Sequence, residues 1–598
     1  MAYVKITDLS FAQTLTGNEF LPIVQNGTSY KVSVSAVGSG TISGVNNNNK
    51  GTNTVILGGK NNYIHPDAAE TNIVGGTTNF VNGTAFNSNI LGGYGNIVNC
   101  VANVVAGGNA NSTTLGSCNF IGSGLFNVIN EDNLSVIGSG CGNSIHSSPL
   151  VTPGCNNGVL GGYGHVIFNS TYSFIGGGRG NKVFYSKCSG ISSGNQNSIL
   201  SGDKSFIGGG YKNYLSGNFS SIFGGTGNRV DSVGSVVAGG ASNCAYGYLS
   251  FIGGGSSNIA RCDARYGVIA GGKYNYLNNP YTSVLGGWGN NALLSGGTIG
   301  GGIENTLSSA FGFIGGGICN TIESGLITPF GGGPLISPSI IVSGRSNKIY
   351  SPNSFIGGGA CNKISDNKSS VIFHGYTNCI YGGGDGFILG GSFNSLSGNT
   401  TSSNSNFRNF IGNGTSNCII GHGDQGSKLN TIFNGSNNQI GPETAPGGSK
   451  TIVGSTIVGG CFNCIKSGDQ QTTLGFIGGG QSNSLSGTGF IGTSIITNVS
   501  GYNNGIIAGH TIDIYGCQSF VGSGFCNTIC ADYSSIITGC CNNNFHDNSH
   551  IIGSDITTVS GNMLHAQTLY LSAAALPTSD PGVPGVVWRD GTDLKISV

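Results

Sequence analysis

SFIGGGYKNYL, residues Ser205 to Leu215, is one copy of a unit that recurs along most of this chain. SFIGGGRGNKV (Ser173 to Val183) precedes it, and SIFGGTGNRV (Ser221 to Val230), SVVAGGASNCA (Ser235 to Ala245) and SFIGGGSSNIA (Ser250 to Ala260) follow it. A later copy is SFIGGGACNKI (Ser354 to Ile364). The shared pattern is Ser-x-Ile-x-Gly-Gly-x-x-Asn-x-Ile. Its asparagines stand at Asn181, Asn197, Asn213, Asn228, Asn243 and Asn258, with Asn362 in the later copy. A spacing of about 15 to 16 residues is the period of stacked β coils, whereas helical repeats need roughly 34.

The residues of one copy predict the shape of one coil. Phe174-Ile175 forms a short strand that places bulk in the interior. Gly176-Gly177-Gly178 supplies the positive φ angles, or the close backbone approach, of a tight corner. Asn181 is read as the left-handed corner residue, with an amide that bonds the coil above, and Val183 opens the second strand. A lone coil cannot bury its own apolar edge; stacking at about 4.8 Å per coil closes the ladder. The expectation is an all-β, elongated parallel β-solenoid, or β-roll, of about thirty coils of 15–17 residues, roughly 140 Å long.

Composition agrees. Of 598 residues 111 are glycine, two are methionine, two are tryptophan, and charged residues make up 8%. An average protein has roughly 7% glycine and about 25% charge. Disorder is excluded by a 37% hydrophobic content that recurs at regular places. Collagen is excluded by glycine that is not at every third position. The formal net charge is zero, so the basic surface of a nucleic-acid binder is missing. No run approaches the roughly 18 to 20 apolar residues of a membrane helix, so no membrane insertion is expected. MAYVKITDLSFAQ lacks the apolar core of a signal peptide, which predicts synthesis as a soluble protein outside the general secretion route. The 18 cysteines are scattered, and many adjoin the repeat asparagine: Cys244, Cys319, Cys361, Cys379, Cys418 and Cys526. They are expected to be free thiols, small and buried, stacked coil upon coil.

The repeat is interrupted by SSPLVTPGCNN (Ser147 to Asn157), LITPFGGGPLISPSI (Leu326 to Ile340), SGNTTSSNSNFRN (Ser397 to Asn409) and GPETAPGGSK (Gly441 to Lys450). Insertions leave a solenoid as side loops, commonly on a binding face; the alternative is drift in surface loops. Pro329, Phe330, Pro334, Phe407 and Arg408 are the candidate binding residues. Residues 1–40 form an N-terminal module, since FLPIVQNGTSYKVSVSAV (Phe20 to Val37) reads as strand, Asn26-Gly27 turn, strand. Residues 41–563 are the solenoid. Residues 564–598 form a C-terminal cap, with a hairpin around Asp590-Gly591. Both ends of a solenoid need such blunting.

VKITDLSFAQTLTGNEFLPIVQNGTSYKVSVSAV resembles the N-terminal segment of bacteriophage tail-fibre and virion appendage proteins. LPTSDPG…GVVWRDGTDLKIS is similar to C-termini of phage structural proteins. The central repeats, as in GGGYKNYLSGNFSSIFGGTGN, resemble the head domains of trimeric autotransporter adhesins, which are parallel β-rolls of three chains. The chain departs from that family in having neither its signal peptide nor its membrane anchor. Together the resemblances imply a homotrimer, intertwined or side by side, acting as a viral fibre. It would be assembled in the host cytoplasm and exposed on the virion. The N-terminal module would dock a virion protein, and the fibre would attach to a host-surface glycan or protein. A purely architectural shaft and a glycan-cleaving tailspike are the alternatives.

Enzymatic and metal chemistry have little footing. Glycan cleavage needs two matched carboxylates, and Asp and Glu total 23, none locked to the repeat. Gly190-Ile-Ser192-Ser-Gly194 matches a nucleophile elbow in a repeat corner, the wrong context, and no phosphate-loop pattern occurs. Cys540, Cys541, His546 and His550 have zinc-compatible spacing, but Cys541-Asn542 is the ordinary repeat position. Cys461 and Cys464 straddle a repeat asparagine in the same way. Gly383-Gly384-Asp385-Gly386 lacks the tandem nonapeptide of calcium-binding turns. Threonine is not locked to the period, as an ice-binding face would require. No enzyme, no metal and no cofactor are expected.

Overall fold

A computed structural model describes residues 20–25, 28–33, 44–148, 154–323, 338–367, 369–383, 385–398, 408–421, 429–441, 452–466, 472–568, 576–584 and 586–597. The chain divides into two compact units, Met1–Leu307 and Ser308–Val598. Each is a parallel β-solenoid, about 29 turns in all, and the described residues contain no helix.

In the first unit, Phe206–Ile207 pairs in parallel with Gly190–Ile191 on one side and Ser221–Ile222 on the other. Tyr214–Leu215 pairs with Ser198–Ile199 and Arg229–Val230. Every coil thus holds two short strands, and each finds its partner one period away. The second unit repeats the scheme, with Phe355–Ile356 between Ile340–Ile341 and Val371–Ile372. Two of its strands are long, Gly489–Ser500 and Asn504–Ile514.

Strand alternation decides what lies inside. Ile175, Ile207, Leu215, Ile222 and Val230 are fully buried, as are Ile341, Ile349, Ile356 and Ile364 in the second unit. Each such side chain contributes about 1.5–3 kcal/mol of burial. The interior is covered by the coil's own chain, so burying it requires no second copy. The aromatic half of the predicted interior is corrected: Phe174 points outward and is 42% exposed, because its neighbour Ile175 takes the inward place. The Phe174 ring leans over Gly190 of the next coil, whereas in other coils the ring lies near the glycine two residues on. A Cβ added to Gly253 would sit 3.4 Å from Cε1 of Phe251, and one on Gly357 3.3 Å from Cε1 of Phe355. Where the outward residue is small, the bulk moves past the isoleucine, as in Ser221-Ile222-Phe223 and Thr431-Ile432-Phe433, whose phenylalanines are exposed.

The glycines divide by duty. Gly178 has φ +97°, and a Cβ there would lie 2.0 Å from the Gly194 carbonyl oxygen. Gly176 has an ordinary φ, yet its Cβ would lie 2.3 Å from the Ser192 oxygen. Gly177 has open space around it.

The asparagine assignment is corrected by one residue. Asn181, Asn213, Asn228, Asn243, Asn258 and Asn362 are buried, not left-handed. The positive φ belongs to the residue before each: Gly180, Lys212, Gly227, Ser242, Ser257 and Cys361. That kink turns the asparagine inward, where three hydrogen bonds satisfy its amide. Asn213 Nδ2 donates to the Gly209 oxygen (2.9 Å) and to Gly225 of the next coil (3.0 Å). Its Oδ1 accepts the Asn228 amide N–H at 3.0 Å. The expected bond to the neighbouring coil is therefore present, as part of a continuous buried ladder. His165 takes one place in it: its N–H donates to Asn143 Oδ1, and its Nδ1 accepts from the Asn181 N–H at 3.1 Å.

All 18 cysteines are free, but none is buried, which corrects the stacked-core reading. Cys319, Cys361 and Cys526 occupy the left-handed corner; Cys244, Cys379 and Cys418 follow an asparagine and face outward from the strand. Partial burial still pushes the Cys418 thiol up to about 11.

The predicted hairpins are present. Phe20–Gln25 pairs antiparallel with Thr28–Ser33, and Val587–Asp590 with Asp593–Ile596. The second turn falls on Gly591-Thr592, with Asp590 inside the strand.

Candidate functional site

The two corners of a coil are built differently, and the difference locates a site. After the first strand comes the glycine–asparagine corner. Asn Nδ2 reaches back to a carbonyl four residues earlier, in Asn181, Asn213, Asn258, Asn378 and Asn438 alike. The tie fixes the length of the corner. After the second strand a serine or a similar small residue points inward: Ser220 Oγ donates to Asn218, two residues back, and to Ser232 of the next coil, and accepts the Ser235 N–H. In these serine corners no side chain spans the loop, although asparagines at Asn103 and Asn504 do reach back four residues there.

Residue spacing follows. From the second corner's buried residue to the next asparagine, the chain takes eight residues at Ser173 to Asn181, Ser205 to Asn213, Ser339 to Asn347 and Asn409 to Asn417 alike. The return takes seven from Asn213 to Ser220, fifteen from Asn394 to Asn409 and nineteen from Asn320 to Ser339. Every long insertion falls at the second corner, and the first corner changes in the last coil by a single residue, where Ser549 to Ile556 takes seven and the register shifts. Segments 149–153 of the first unit and 324–337, 399–407, 422–428, 442–451 and 467–471 of the second each follow a second strand and precede the next first strand.

Pro329, Phe330, Pro334 and Phe407 lie outside the described residues. Arg408 is exposed, beside Asn409, whose Oδ1 accepts the Asn430 N–H. The segments 422–428 and 467–471 were not singled out in the sequence reading. The stretched spacing from Asn417 to Asn438 was the available signal.

The foot of the 149–153 segment is knotted by a carboxylate. Asp132 is fully buried and accepts from Ser147 Oγ (2.9 Å), Asn157 Nδ2 (3.1 Å) and Ser135 Oγ. Ser147 Oγ in turn accepts the Gly154 N–H at 2.9 Å. Burial raises the Asp132 pKa above the ordinary carboxylate value, against the lowering pull of those hydrogen bonds. This is a structural knot with no solvent-facing oxygen.

The second unit carries a hollow of about 580 Å³. Phe476, Phe490 and Phe520 line it, with rim residues Leu474, Thr488, Asn503 and Gln518 at the second corner. Phe476 and Phe490 stack at 5.4 Å with planes 12° apart. Sequence reading missed this hollow, since its phenylalanines belong to the outward column.

Among the described residues no three His, Cys, Asp or Glu side chains gather into a metal-holding group. Asn542 is an ordinary ladder member, its N–H bonded to Asn527 Oδ1, and His546 and His550 bond Thr558 and Ser535 separately. Among the described residues no helix is long and apolar enough to cross a membrane. No family model matches the chain, and no curated protein matches it.

Proposed function

We propose that this chain is a viral attachment fibre, of bacteriophage type, that binds a host-surface glycan or protein without cleaving it. The observation that carries this reading is the confinement of every long insertion to one corner of the coil. A scaffold whose other corner takes no long insertion can vary its loops at the second corner, the arrangement of a binding face on a solenoid. The N-terminal hairpin fits the role of a virion-docking module, in line with the likeness of its sequence to virion appendage proteins. Side-by-side association into a homotrimer would multiply weak contacts into firm attachment through avidity. A surface with zero formal net charge suits an exposed appendage that must avoid nonspecific adhesion.

The alternative is an architectural shaft, favoured by the continuous ladders. Competition decides between them. Purified full-length protein should bind susceptible host cells saturably and block adsorption of the virion. Protein that neither binds nor competes would leave only the architectural role.

A further inference from the structure

The hollow beside Phe490 is more than a gap between coils. Phe490, Gly505 and Phe520 are register partners in three successive coils, so the outward phenylalanine column misses one side chain at Gly505. Gly505 has an ordinary φ, and a Cβ there would meet only the Phe520 ring, at 3.1 Å from Cδ2. Backbone geometry therefore does not demand glycine. The first unit offers a comparison at Gly190, between Phe174 and Phe206. There the Phe174 ring fills the vacancy, with Cε1 2.1 Å from the added Cβ. At Gly505 the vacancy stays open.

The rim is polar and uncharged. Asn503 and Thr488 are hydrogen-bonded to each other, Thr488 Oγ1 to Asn503 Oδ1 at 3.3 Å and the Asn503 N–H to Thr488 Oγ1 at 3.0 Å. Gln518 stands next in the same column, exposed. No lining residue carries a charge. Aromatic faces with neutral amide and hydroxyl groups at the rim match a ligand with one apolar face and a hydroxylated edge. They offer nothing to an anion or a cation.

We infer that this hollow is a binding subsite for a neutral pyranose of a host-surface oligosaccharide. The sugar's C–H face lies on the phenyl rings at the Gly505 notch, and its hydroxyls meet Asn503 and Gln518. This rests on the attachment reading above and gives it a ligand class and a place.

The test is an array of uncharged and acidic oligosaccharides probed with labelled full-length protein and two variants. Gly505→Val fills the notch with a residue the coil tolerates, since Val371-Ile372-Phe373 already pairs an outward valine with bulk beyond the isoleucine. Phe490→Ala removes the floor. Uncharged sugars should bind the native protein, and each variant should bind at least tenfold more weakly with an unchanged unfolding midpoint. Undiminished binding by Gly505→Val and Phe490→Ala would overturn the subsite and leave glycan attachment standing elsewhere. Binding of acidic sugars alone would overturn the neutral-sugar assignment. A protein that binds no sugar but still attaches to host cells would overturn the subsite alone, and one that does neither would overturn the attachment reading as well.

Discussion

At the residue scale, neighbours of identical type do unequal work. Gly178 lies at positive φ against a carbonyl of the next coil, while Gly177 faces open space. Gly178→Ala should destabilise its unit by at least ~2 kcal/mol, from the left-handed backbone and the clash together. Gly177→Ala should be neutral or slightly stabilising. Chemical denaturation of the two variants checks the contrast. His165 supplies a second test. Its Nδ1 accepts a ladder hydrogen bond, and burial holds its pKa below the usual 6.5, against the raising pull of hydrogen bonds to the Gly178 and Asn181 backbone. The unfolded chain therefore takes up the proton first. Stability from this residue is complete above 6.5 and is lost as pH falls from 6.5 toward the lowered folded value, by about 1.4 kcal/mol for each unit of depression. His165→Asn restores the usual ladder residue and should remove that part of the acid sensitivity, read as the difference between the two unfolding midpoints at pH 7 and pH 5. The glycine triplet and the asparagine period were plain in the sequence, but the role of the asparagine was not. Left-handed geometry falls to Lys212, Ser242 or Cys361, residues with no chemistry in common, so no side-chain pattern marks the position. Cysteine was misplaced for the same reason, since one step along a corner exchanges inside for outside.

At the element scale, each coil is two half-coils with one rigid corner and one permissive corner. A Gly-Ser pair inserted after Gly209 would break the reach of Asn213 to its own corner carbonyl. With it would go up to three buried hydrogen bonds, each worth about 1 kcal/mol, and buried amide groups would be left unpaired. The same pair inserted after Gly217 lengthens a corner that already varies between coils and should shift the unfolding midpoint little. Thermal unfolding of both variants measures the asymmetry; equal losses would contradict it. The strands and their parallel pairing were legible because isoleucine, glycine and asparagine recur together. The outward turn of Phe174 was also recoverable, since adjacent residues of a strand cannot share a face. The hollow at Gly505 was not. It depends on where neighbouring rings lean, which the repeat does not record.

For the whole molecule, the account joins a core closed by one chain to an edge free to vary. The ladder residues lie buried and paired at the first corner, so selection on binding can act at the second without disturbing them. The proposed trimer then serves avidity, with no part in covering the interior. The insertions at 324–337 and 399–407 were visible in the sequence as proline-bearing or polar interruptions. Their common edge emerged only when the spacing was split at the two corners. The most direct measurement is the binding of labelled protein to susceptible host cells before and after removal of residues 324–337 and 399–407, which leaves every ladder residue in place. The account predicts at least a tenfold loss of binding with an unchanged unfolding midpoint. Full binding by the shortened protein would contradict it.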